Sequence, residues 1–309
     1  MNNIKHKCGT IWPLLTQDQQ SWLNQYNKPE PIEGAIYALV YAEKLLHQIT
    51  KRKSFEGVPD FLLTDEQLLN KDATERNIFI KAAEDGYLDA IPTKLFTVPR
   101  TLAQDSNGRN LLIVAVVAGQ LAYVPTKCIT FEGVVSQDKY SDNALTEAAR
   151  YGCVNQIPDD IVIQAVEYCN SNGLSNSDGR DTLQTAARYG HLDQIPSKCF
   201  YSAACDCILW SDKSTWMHVA AYTGALVCVP RDALTDGALR LKNASGNSVV
   251  QIAVAENQRD QLLGVRLGAE FRKELGEAWW DKNTSLIKEK EDLLASLVRD
   301  DSENDIELF

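Results

Sequence analysis

Cys205-Asp206-Cys207, followed by His218 and Cys228, is the set of side chains closest to a metal site in this chain of 309 residues. Structural zinc sites draw their donors from paired ligand clusters at recognisable spacing. Here the second pair is missing, so no metal is expected. His6 and Cys8 could act as a base and a thiol nucleophile, but no neighbouring group stands ready to orient the imidazole. The sequence carries no glycine-rich phosphate loop, nucleophile elbow or zinc-protease motif. With four histidines in all, general acid–base groups are scarce. No catalytic residue and no cofactor are expected, and the eight cysteines read as free thiols because no secretion signal precedes them.

What surrounds these candidates is a period. Apolar-proline pairs recur at Val58-Pro59, Ile91-Pro92, Val124-Pro125, Ile157-Pro158, Ile195-Pro196 and Val229-Pro230, with proline spacings of 33, 33, 33, 38 and 34. Fifteen positions before the last five of these prolines stand Asn77, Asn110, Asn143, Asp181 and Thr215, and Ser248 continues the phase. All are residue types that cap a helix by accepting bonds from first-turn N–H groups. An apolar residue follows each (Phe79, Leu112, Leu145, Leu183, Met217, Val250), then a small pair such as Ala82-Ala83 or Ala148-Ala149. The helix is expected to stop at Gly86, Gly119, Gly152, Gly190, Gly224 and Asn257, residues that enter the left-handed region at low cost. Proline then starts a second helical segment, where its missing N–H loses nothing. Thr64 and Gln67 resemble another capping box, which divides that outer segment into two short helices. Cys128 and Cys199 follow their prolines by three residues, at a slot filled elsewhere by Leu62, Leu95 and Ile161, and read as small core residues.

Ser214-Thr215-Trp216-Met217-His218-Val219-Ala220-Ala221-Tyr222-Thr223-Gly224 resembles the ankyrin-repeat consensus Thr-Pro-Leu-His-x-Ala-Ala-x-x-Gly. Gly190-His191-Leu192 resembles the family's Gly-His-Leu, and Asp105-Ser106-Asn107-Gly108-Arg109-Asn110 its Asp-x-x-Gly-x-Thr turn. The family proline of Thr-Pro-Leu-His is replaced in every copy, by Ile78, Leu111, Ala144, Thr182, Trp216 and Val249. The resemblance covers residues 44–267, about seven units. It implies an all-α, ankyrin-like helical repeat solenoid, with a degenerate first unit around Leu45-Leu46-His47-Gln48-Ile49. It also implies a structural hydrogen-bonding role for His218, and a partner-facing surface. Carried over by register, that surface comprises Arg150 and Tyr151, Arg188 and Tyr189, and Tyr222 and Thr223, with Arg76, Arg109 and Arg180 at the turns. The segments 148–152 and 186–190 both read Ala-Ala-Arg-Tyr-Gly and would form a ladder. Tyr and Arg are the types enriched in binding hot spots. The same residues also fit a plainer role, stacking between repeats and pairing with Asp or Glu.

Residues 1–43 lie outside the repeat and read as an N-terminal helical cap, and residues 268–309 as C-terminal capping helices with an acidic tail. Two helices are expected near 258–280 and 284–299, followed by a disordered tail from Asp300 to Phe309 that holds five acids and no base. The extra length of the 38-residue unit falls near Asn170–Ser177, whose composition predicts an exposed loop. No stretch reaches the roughly 18 apolar residues of a membrane span, and no signal peptide opens the chain, so a cytoplasmic location is expected. A net charge of −11 opposes direct binding to nucleic acid. The expected function is non-enzymatic: a scaffold or inhibitor that binds another protein through the concave repeat face. The alternative is an acidic nucleic-acid mimic that blocks a basic, DNA- or RNA-binding protein, as a phage or mobile-element antagonist of host defence would. An enzyme is the third reading, and it would have to lie in residues 1–43 or across the repeat face.

Overall fold

Asn77, Asn110 and Asn143 hold extended backbone and turn their side-chain oxygens onto first-turn N–H groups, at 3.0, 3.1 and 2.9 Å respectively. Asp181 and Ser248 do the same for Gln184 and Gln251 at 2.7 and 3.1 Å, and Thr215 holds the same cap position with extended backbone. Where the third helical residue can answer, a reciprocal box closes, as Thr146 bonds the N–H of Asn143 and Gln251 that of Ser248. Thr64 accepts from the N–H of Gln67, which is half of the expected box.

A computed structural model describes residues 12–13, 17, 20–21, 54–55, 63–175, 180–201 and 213–304, with side chains to residue 292. The expected N-terminal cap (all but a few residues), the first repeat around Leu45–Ile49, Val58-Pro59, the loop residues Asn176 and Ser177, and the last five residues lie outside this set. The described chain is helical and has no strand, only an isolated bridge between Lys242 and Ser248. Among the described residues no helix is long and apolar enough to cross a membrane.

Two units are distinguished, Met1–Ala165 and Val166–Phe309. The first contains α1 (Asp65–Leu68), α2 (Ile78–Glu84), α3 (Val98–Leu102), α4 (Leu111–Val117), α5 (Phe131–Val135) and α6 (Ala144–Tyr151). Helices α2, α4 and α6 pack side by side, and their small residues Ala82, Ala83, Ala115, Ala148 and Ala149 are fully buried. Phe79 meets Phe96 edge-on at 5.4 Å between ring centroids. After α2 and α4 the chain makes paired 3-10 turns, Leu88–Ala90 then Thr93–Leu95, and Leu121–Tyr123 then Thr126–Cys128. The outer segment is therefore broken into short pieces, as the second cap predicts. Gly133 sits where α5 crosses the core. A Cβ there would lie 2.9 Å from Leu112 Cδ1, and its carbonyl accepts from Asn110 Nδ2 at 2.8 Å.

Helix α7 (Asp159–Ser171) spans the boundary between the units. It differs from the earlier outer segments. The five extra residues of this repeat accompany one continuous helix directly after Pro158, so only part of the added length forms the expected loop.

The second unit continues with α8 (Thr182–Tyr189), α9 (Trp216–Thr223), α10 (Asp236–Arg240), α11 (Val249–Ala255), α12 (Arg272–Leu275) and α13 (Glu277–Asn304). Helices α8, α9 and α11 pack in order around Ala186, Ala187, Ala220, Ala221 and Ala253. Every expected helix stop is left-handed: Gly86, Gly119, Gly152, Gly190 and Gly224 have φ between 67 and 82°, and Asn257 has φ 61°. Cys128 and Cys199 are buried core residues, as their register predicts.

The C-terminal helices differ from expectation. Residues 258–276 form short turns and α12, and a single helix α13 runs from Glu277 to Asn304. The break expected near residue 283 is absent because the polar residues there bond elsewhere. Asn283 accepts from the Gly264 N–H and donates to the Val265 carbonyl, while Thr284 and Ser285 bond back to Trp280 and Asp281 within the helix. Helix also replaces the first part of the tail expected to be disordered, through Asn304.

Candidate interaction surfaces

The turns before α2, α4, α6 and α11 are each built on one acidic or amide side chain. Asp72 Oδ1 accepts from the N–H groups of Thr74 and Arg76, and Asp105 Oδ1 from those of Asn107 and Arg109. Asp138 and Asn243 repeat the arrangement on Tyr140 and Asp142, and on Ser245 and Asn247. Neighbouring turns touch in the first unit, where the Lys139 N–H reaches the Asn107 carbonyl at 2.9 Å. Burial raises the Asp72 pKa, but bonds from Thr74 and Arg76 outweigh it and hold the carboxyl well below the usual range.

Arg76 and Arg109 project from these turns into ion pairs. Arg76 bonds Asp72 of its own turn and Glu84 Oε2 at 2.6 Å. Arg109 bonds Asp105, then reaches back one repeat to Glu84 Oε1 at 2.7 Å. Partial burial disfavours the charge on Arg109, yet these carboxylates overcome it and raise its pKa. Arg150 lies 3.1 Å from Glu147 and 4.0 Å from Asp142. All three arginines pair with Asp or Glu, which is the pairing half of the plainer role. Arg180 is half-buried.

A slot pattern emerges. Positions 76 and 84 hold Arg and Glu, and two repeats later 142 and 150 hold Asp and Arg, the same contact with its charges reversed. Between them, Val117 occupies the carboxylate slot, which leaves Arg109 to use Glu84.

The tyrosines behave differently. Tyr151 at the end of α6 is 52% exposed, and Tyr189 and Tyr222 at the ends of α8 and α9 are 43% and 66% exposed. Thr223 is exposed as well, but its hydroxyl donates to the Ala187 carbonyl at 2.9 Å and so ties α9 to α8. In the second unit, then, Arg188, Tyr189 and Tyr222 are exposed on two packed helices, with Arg188 and Tyr222 at equivalent register.

No family model matches the chain, and no curated protein matches it.

Enzyme-like features find other employment. His218 accepts from the Thr215 N–H through Nδ1 at 3.1 Å, which makes Nε2 the protonated nitrogen, donating to the Leu241 carbonyl at 2.9 Å. Both ring nitrogens are thereby occupied by the backbone. Burial raises the pKa of Cys228, and pushes that of Cys153 up to about 11, so neither thiol is activated. Cys205, Asp206, Cys207, His6 and Cys8 lie outside the described residues, and within the described ones no three His, Cys, Asp or Glu side chains gather as metal ligands would. A cavity of about 210 Å³ lined by Phe200, Thr215, Met217 and Leu241 is smaller than ordinary small-molecule sites. A larger groove of about 510 Å³ beside Leu88–Thr93 has Asp89 and Tyr123 as its ionisable groups.

Other exposed apolar side chains were not singled out from sequence. Tyr140 stands at the turn slot held elsewhere by Thr74, Asn107 and Ser245, and Val227 at a slot held by Asp89, Asn155 and Asp193. An apolar residue where other repeats are polar is the signal that would have found Tyr140; Val227 is less distinct, because Ala122 fills its slot in another repeat.

Proposed function

We propose that this chain is a non-enzymatic, ankyrin-like repeat solenoid, capped by helices at both ends, that binds another protein in the cytoplasm through the exposed ends of its long helices. The observation that carries the reading is the exposure of Tyr151, Tyr189 and Tyr222 on helices whose other apolar side chains are buried or, at Val219, half-buried. Large aromatic groups held on packed helices lose little entropy on binding and bury much area, which is why tyrosine dominates interface hot spots. The ion-paired arginines Arg76, Arg109 and Arg150 support the surface from beneath, holding turn and helix end in fixed relation, while Arg188 joins the tyrosines in direct contact.

The test is quantitative affinity capture from source-cell lysate with the wild type beside two folded variants, Tyr151→Ala and Arg188→Ala/Tyr189→Ala/Tyr222→Ala. A protein retained by the wild type and lost with either variant supports the reading. Retention by both variants, or turnover of a substrate by the chain, overturns it.

A further inference from the structure

Among the arginines whose side chains are described, Arg188 stands apart: it has no hydrogen bond and no ion pair, whereas each of the others bonds a carboxylate, a carbonyl or another group. This is notable in a chain with 42 acidic and 31 basic residues. The slot pattern gives the reason. Its counterpart position in the same repeat is Arg180, so the opposite-charge pairing seen at 76/84 and 142/150 is lost. The register neighbour on α9 is Tyr222, which supplies no carboxylate, and Tyr189 flanks Arg188 on its own helix. The result is an exposed guanidinium without a carboxylate partner, on the same pair of packed helices as two exposed tyrosines. A planar guanidinium is best satisfied by a bidentate carboxylate, and the rings by an adjoining apolar side chain.

We infer that this face receives an acidic-apolar segment, and that the occupant is the C-terminal stretch, residues 300–309, of a second copy, which begins in the last turn of α13. That stretch reads Asp-Asp-Ser-Glu-Asn-Asp-Ile-Glu-Leu-Phe: five carboxylates, no base, and Ile306, Leu308 and Phe309 interleaved with the last acids. It offers what Arg188, Tyr189 and Tyr222 lack. Because the whole chain is acidic, long-range forces oppose the approach, and attraction arises only at contact distance. The segment thus acts as a competitor for the partner surface, on whose existence this inference rests.

The test uses the full chain with its own tail neutralised (Asp300→Asn, Asp301→Asn, Glu303→Gln, Asp305→Asn, Glu307→Gln) and a labelled synthetic peptide of residues 300–309. Saturable binding is expected, weakened at least tenfold by Arg188→Glu or Tyr222→Ala in the chain, and equally by serine at Ile306, Leu308 and Phe309 in the peptide. Arg188→Gln serves as the milder variant, and unchanged melting confirms that each variant is folded. No saturable binding, or binding indifferent to Arg188→Glu, overturns the inference. Loss of the peptide result with partner capture intact leaves the binding-surface reading standing, whereas capture indifferent to these side chains defeats that reading.

Discussion

Glu84 accepts from Arg109 of the following repeat at 2.7 Å while it holds Arg76 of its own repeat at 2.6 Å. One carboxylate thereby fixes two turns to one helix end, with all three side chains about a quarter exposed. Charge-assisted bonds of this kind are strong when sheltered and are screened by the solvent that remains. Glu84→Gln is expected to destabilise the first unit by about 1–2 kcal/mol. A double-mutant cycle with Arg109→Gln in urea melts should show coupling of about 1 kcal/mol. Additive effects would mean that the bridge contributes nothing.

Asp181 caps α8 from a fully buried position, and burial pushes its carboxyl up to about 6 despite the N–H groups of Gln184 and Leu183 that favour the ionised form. The unfolded chain has a carboxyl near 3.9. Between about pH 4 and 6 the folded state therefore holds the proton more tightly than the unfolded state, and stability falls as pH rises through that window. Asn already fills the equivalent cap at 77, 110 and 143. Asp181→Asn should abolish this slope and raise stability at pH 7 by up to about 3 kcal/mol. Urea melts at pH 4.5 and 7 check both statements.

Gly190 ends α8 at φ 82°, with no atom within 4 Å of the place a Cβ would take. Substitution there meets conformational cost and no clash. Gly190→Ala should cost about 1 kcal/mol. Gly190→Asn should cost about half as much or less, since Asn257 serves the same turn at φ 61°. Equal melting temperatures for the two variants would contradict this.

His218 is a backbone clamp, and its replacement leaves the Thr215 N–H and the Leu241 carbonyl without their partner. His218→Leu should destabilise the second unit by about 2–3 kcal/mol. Nitrogen NMR of the wild type should show the Nε2–H tautomer at neutral pH, and the Nδ1–H tautomer would contradict the assigned bonds.

The helix starts and stops were legible in the sequence because each acts within one turn. A cap reaches three residues and a left-handed stop one, so Asn110 or Gly152 declares itself without knowledge of its neighbours. The small pairs were legible for a related reason, since close helix approach favours alanine at the first position of each pair, with valine at the second in two copies. The pairing of Glu84 with Arg109 spans 25 residues, and a list of charges does not say which acid a given arginine meets. The continuous α13 was missed because Asn283 caps nothing and instead holds a loop 18 and 19 residues earlier. Of the candidate surface, residue types and register were legible, but not the division of labour. That division follows from whether each arginine finds a carboxylate, as Arg76, Arg109 and Arg150 do and Arg188 does not.

The central claim is that the ends of the long helices meet another protein. A photo-crosslinking residue placed at Tyr222 in source cells, with Lys282 on α13 as the exposed control, tests it most directly. A discrete adduct with a second polypeptide species from position 222 and none from position 282 is predicted. Adducts from position 282 alone, or none from position 222, would contradict the account.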